Sequence, residues 1–97
     1  MSVISITTFR LASGIGDEAF VVSDARYQTE FAYQQAGLLR RTTARSADGA
    51  WLVVTHWATK SDADNAEVAH AADPIAQAHG ALMDSSSVAH ATYATLG

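Results

Sequence analysis

Four histidines, His56, His70, His79 and His90, are the side chains of this chain most suited to moving a proton near neutral pH. An imidazole of that kind can take a proton from a phenol or an acidic C–H. The histidines match no standard metal spacing, and HExxH is absent, so no metal is expected. There is no cysteine, which removes disulfides, thiolate nucleophiles and Cys-based metal sites. His70 and His79 fall on helical segments and are the catalytic candidates among the four.

Asp24 and Tyr27 form a second polar feature. Phe20, Asp24, Tyr27 and Phe31 recur at helical spacing and share one otherwise apolar face. A carboxylate there must be solvated, paired or lining a cavity. If it lines a cavity, Asp24 joins His70 and His79 as a catalytic candidate, and Tyr27 and Phe31 become substrate contacts. The alternative is a rotated helix with Asp24 at its wet edge. Arg40, Arg41 and Arg45 cluster on a segment that reads as an edge strand, where charges discourage aggregation. Gly14-Ile15-Gly16 is too short to read as a phosphate loop.

These side chains need elements to hold them. Val3 to Leu11 is rich in β-branched residues and reads as a strand, broken by Gly14 and Gly16. Asp17 and Glu18 suit a helix N-terminus, and the first helix is expected to reach about Gln35, with Gly37 as its stop. Leu38 to Arg45 is a second strand, Ser46 to Gly49 a tight hairpin loop, and Ala50 to Ala58 a third strand. That third strand is apolar on both faces, and neighbouring residues such as His56 and Trp57 must point to opposite sides. Ser61 is expected to open a second helix with Asp64 in its capping box, and Pro74 to end it or start the next turn. Val88 to Leu96 is the last strand.

The order β, α, β, β, α, β predicts one α+β, ferredoxin-like domain over residues 1–97. It has a four-stranded antiparallel sheet with helices on one face. Right-handed crossovers are read as making the first and third strands parallel neighbours. The open face of the sheet still carries large apolar groups, which points to an interface.

Composition agrees. Twenty of the 97 residues are Ala, so the core has few large anchors and gains from a partner's surface. The net charge of -4 disfavours nucleic acid and anionic membranes. No run approaches a membrane span, and Met1 to Thr8 shows no leader pattern, so a cytoplasmic homodimer is expected.

Several segments together resemble the antibiotic biosynthesis monooxygenase-like family of the dimeric α/β-barrel superfamily. They are Phe9-Arg10-Leu11 with Gly14, the run FAYQQAGLLRR from Phe31 to Arg41, Asp48-Gly49-Ala50-Trp51, and Thr55-His56-Trp57 before Ser61-Asp62-Ala63. The resemblance implies two sheets packed face to face and a pocket between helices and sheet in each subunit. It also implies, for many members, cofactor-free oxidation of small aromatic polyketide-like substrates with O₂. It makes Trp57 a substrate contact, whose indole can stack on a planar ring. Haem-degrading members carry an Asn on strand one, a Trp ending strand three and a His early in the next helix. Here Trp57 matches, Thr7 stands at the Asn position as a substrate contact, and no His occurs in that helix before His70. Haem chemistry is therefore disfavoured.

The resulting expectation is a cofactor-independent monooxygenase on a small aromatic, polyketide- or quinol-like substrate. A non-catalytic dimer that binds a small-molecule ligand, and a cyclase or isomerase on the same scaffold, are the alternatives.

Overall fold

The computed structural model describes residues 1–96. Gly97, the last residue of the expected domain, lies outside the described residues. Strand β1 covers Val3–Phe9 and helix α1 covers Asp17–Glu30. A 3₁₀ turn at Ala32–Gln34 leads to the hairpin of β2, Leu38–Arg45, and β3, Trp51–Trp57. Helices α2, Lys60–Ala72, and α3, Pro74–Gly80, precede a 3₁₀ turn at Ser85–Ser87 and strand β4, Ala89–Ala94. The sheet order is β2-β3-β1-β4. This is the α+β, ferredoxin-like architecture expected from the element order.

One expectation fails. β1 and β3 are neighbours, but they run antiparallel, with Val3 opposite Trp57 and Phe9 opposite Trp51. The crossover rule relates β1 to β2 and β3 to β4, the strands that the helices join. The hairpin then reverses the chain between β2 and β3, so β3 must oppose β1.

Helix ends also differ from the expected ones. α1 stops at Glu30 and Phe31 caps it, because the chain tightens into the 3₁₀ turn that follows. α2 is capped by Thr59 rather than Ser61. The Thr59 hydroxyl accepts from the Asp62 N–H and donates to the Asp62 carboxylate, capping the helix two residues earlier than expected. Asp73 caps α3 by accepting from the Ala76 N–H, with Pro74 at the first helical position. Gly37, expected as the stop of the first helix, instead turns the chain into β2 after the 3₁₀ segment, and it and Gly49 in the hairpin both take positive φ.

Strand alternation divides the sheet. Val3, Phe9, Trp51 and Trp57 are buried against the helices. Phe9, Phe20 and Trp51 form one apolar cluster, Phe31, Ala32 and Ala76 a second, and Val3, Trp57 and Ala66 a third. Ile4, Ile6, Leu52, Val54 and His56 occupy the other face, which no helix covers, and each is only partly buried. No helix among the described residues is long and apolar enough to cross a membrane.

Candidate functional site

A cavity of about 360 Å³ lies between the sheet and the helices. That size suits a small ligand. Its aromatic wall is Trp57 from the end of β3 with Tyr27 and Phe31 from the α1 stripe, and Ala63 and Ala66 of α2 leave the room above it. Trp57 therefore faces the helices, and His56 faces away, bonded through Nε2 to the Ser2 hydroxyl at 2.9 Å.

Thr7, Tyr27, Phe31, Trp57, His70 and His79 all line this one cavity. Asp24, expected with them, does not. Its carboxylate is turned to Arg41, which holds it with Nη2 at 2.7 Å and Nη1 at 3.2 Å. Thr43 adds a third hydrogen bond at 2.9 Å. Burial alone would raise the Asp24 carboxyl, but the approach of His79, the bonds and charge of Arg41 and the Thr43 hydroxyl outweigh it. The group ends well below the usual carboxylate range and stays ionised. It serves as the counter-ion of Arg41.

Arg41 is the residue that sequence reasoning misread. Its side chain is only 4% exposed, whereas Asp24's is 14%. It lines the cavity, donates to Gln28 at 3.2 Å and lies 4.9 Å from the centre of the Tyr27 ring. Alternation along β2 carried the signal. Arg41 pairs with Thr55 and so shares the helix-facing side, while Arg40 pairs with His56 on the open side. His90, the fourth histidine, also lines the cavity, from β4, and is hydrogen-bonded to the Thr7 hydroxyl at 2.8 Å.

The two helical histidines differ. His70 ends α2 with its ring edge-on to Tyr27 and Phe31, at 5.7 Å from each. Burial, then the neighbouring His79, pushes its pKa below the ordinary value of 6.5, against Asp73 and Glu67, which act the other way. His70 is thus a neutral imidazole at pH 7, free to accept a proton. His79 is buried, stacked between Phe20 at 4.9 Å and Tyr27 at 4.8 Å, with Nδ1 on the Ser23 hydroxyl at 2.7 Å. Its Nε2 comes within 3.2 Å of Asp24 Oδ1, but the ring N–H direction misses the oxygen and Nε2 makes no hydrogen bond. Tyr27, surrounded by these rings, is pushed up to about 12, chiefly by burial, against the Arg41 charge and with the help of Asp24 and Asp73. Its hydroxyl remains a proton donor throughout the physiological range.

Comparison with solved structures matches nearly the whole chain to known proteins of the same fold. SnoaB, a cofactor-independent oxygenase from Streptomyces nogalater, superposes with a TM-score of 0.75 at 20% identity, covering 99% of this chain and 94% of that one. A Bordetella bronchiseptica protein assigned provisionally to the antibiotic biosynthesis monooxygenases gives 0.78 at 12% identity, with 98% and 97% covered. The fold is that of the antibiotic biosynthesis monooxygenase-like proteins. A Jannaschia protein described as dimeric, ferredoxin-like and of unknown function gives 0.71 at 13% identity, with 98% and 100% covered. The sequence matches no family model and no curated protein.

Proposed function

We propose that this chain is a cofactor-independent monooxygenase acting on a small planar aromatic substrate bound in the helix–sheet cavity. The observation that carries this reading is the His70 imidazole in the wall of an aromatic cavity of ligand size. The shared fold with a cofactor-independent oxygenase supports it.

In this reading Trp57, Tyr27 and Phe31 stack on the substrate ring, and Thr7 contacts it from the sheet. His70 takes a proton from an acidic C–H or phenol. His79 packs beside Tyr27 and limits the charge on His70, and Asp24 holds Arg41 in place. The substrate anion gives one electron to O₂, and the radical pair joins to form a C–O bond. The peroxide takes the proton back from His70. At a CH₂ centre, loss of water then leaves a carbonyl, so one O₂ converts CH₂ to C=O and H₂O. The half-covered sheet face, built on Ile4, Ile6, Leu52 and Val54, packs against a second copy, and the homodimer works in the cytoplasm.

Oxygen uptake by chelator-treated protein with a panel of anthrones and hydroquinones tests the proposal. Uptake is expected, falling roughly 10²–10⁴-fold in His70→Gln, as the loss of a general base requires. Trp57→Ala is expected to lower it as well, with Trp57→Phe retaining part. Traces no steeper than those of denatured protein across the panel would end the oxygenase reading. The same base also serves an isomerase or cyclase, which product formation under anaerobic conditions would reveal.

A further inference from the structure

The strand registers align one residue from each strand across the cavity floor. Arg41 of β2 pairs with Thr55 of β3, Thr55 with Ser5 of β1, and Ser5 with Thr92 of β4. All four line the cavity. A polar belt thus crosses the whole sheet beneath the aromatic wall of Trp57, Tyr27 and Phe31.

Most polar groups around this belt already have partners. Arg41 is committed to Asp24 and Gln28. In the adjoining row Thr7 is bonded to His90, and Thr43 to Asp24. Thr92 stands at 3.5 Å from His90. Ser5 and Thr55 are different. They sit directly opposite each other on the two central strands, and neither hydroxyl bonds another described side chain or backbone group. Ser5 is nonetheless only 9% exposed. Neither hydroxyl is sealed in the core; both open onto the cavity, free to bond a molecule lying there.

We infer that Ser5 and Thr55 are specificity-determining residues that read two ring oxygens of the bound aromatic. The inference rests on the cavity being the substrate site proposed above. Neighbouring strands lie about 4.8 Å apart. That separation is matched by oxygens in meta relation on an aromatic ring, and not by an ortho pair, which is much closer together. A hydroxyl can donate or accept, so each of the two suits a phenol or a carbonyl oxygen. The favoured substrate class is therefore a planar polycycle with meta-related oxygens along one edge, its faces against Trp57 and Tyr27 and its oxygenated edge over the central strands.

The test is anaerobic equilibrium binding of two isomers, 1,3-dihydroxynaphthalene and 2,3-dihydroxynaphthalene, followed by quenching of tryptophan fluorescence. The wild type is expected to bind the 1,3 isomer about tenfold tighter, as one well-placed hydrogen bond allows. The double variant Ser5→Ala, Thr55→Val keeps the strand shapes. It is expected to bind both isomers alike, at the wild-type affinity for the 2,3 isomer, with an unchanged melting temperature as folding control. Equal binding of the isomers by the wild type, no binding of either, or a preference that survives in the double variant would overturn the inference. Because oxygen is excluded, an isomer preference without any later oxygen uptake would remove the oxygenase reading and leave this one standing. Uptake without isomer preference would do the reverse.

Discussion

Ser5, Thr55 and Arg41 point from the sheet toward the helices, whereas Ile4, Val54 and Arg40, each one residue away, point to the uncovered side. The helix-facing side mixes aromatic walls with a bonded polar network. The other side is a flat apolar centre, Ile4, Ile6, Leu52 and Val54, with His56 at one end. The pleat alone separates the two, since successive residues of a strand alternate in direction. One set of strands thereby carries a ligand cavity and a docking surface without either intruding on the other. Alanine-rich helices fit this division, because small residues at Ala63 and Ala66 leave space over the sheet that larger side chains would fill.

The sharpest way to break the comparison is to make one truncation on both faces. Arg41→Ala is expected to cost about 3–5 kcal/mol, because it leaves Asp24 as a buried charge without its partner. Arg40→Ala, next in the chain but exposed, is expected to change stability by less than about 0.5 kcal/mol. Urea denaturation of both variants measures the difference. Similar costs would mean that the Arg41–Asp24 pair is solvated in solution, and the polar network under the cavity would lose its anchor.

That contrast also shows what the sequence made legible. The element order and types follow from periodicity, turn residues and caps, and they hold. The Phe20, Asp24, Tyr27, Phe31 stripe does face the core, and the strand alternation did separate His56 from Trp57. The direction of β3 against β1 was misjudged because a rule about strands joined by a helix was applied to strands that a hairpin intervenes between. Arg41 was grouped with Arg40 and Arg45 as one edge cluster. Alternation splits that cluster, and an acidic residue on an apolar stripe needed water, a partner or a cavity, of which a buried cation was one form. The pairing itself was out of reach, since it depends on how α1 lies across β2, which no local spacing encodes. The cavity was equally hidden, because its volume is the gap left by small side chains brought together from separate elements.

The uncovered face offers the second break. Ile6 sits at its centre, between Val54 and Ala91. Ile6→Lys places a charge where the proposed dimer would bury it, and is expected to raise the dimer dissociation constant at least about a hundredfold. Light scattering at micromolar concentration should show a dimer for the wild type and a monomer for the variant, with cavity binding of 1,3-dihydroxynaphthalene retained. A monomeric wild type would sink the interface, and a variant that lost ligand binding along with the dimer would show that the two faces are coupled.

The smallest effect concerns protonation, and it belongs to the helix-facing side alone. His70 has a folded-state pKa below its ordinary 6.5, first because it is buried. Between those two values the unfolded chain binds more protons than the folded one, so stability rises with pH and is lost on acidification through 6.5. Asp24 is depressed as well, but its contribution is present above the ordinary 3.8 and is lost only as the pH falls below it. Two acid limbs are therefore expected in a melting-temperature profile, one beginning near pH 6.5 and one below pH 4. His70→Gln should flatten the first and leave the second. If oxygen uptake is present, its acid limb should also lie below pH 6.5, because the base must be neutral to act. A first limb that persists in His70→Gln would assign it to another histidine, and the neutral base at the cavity would then lack its thermodynamic signature.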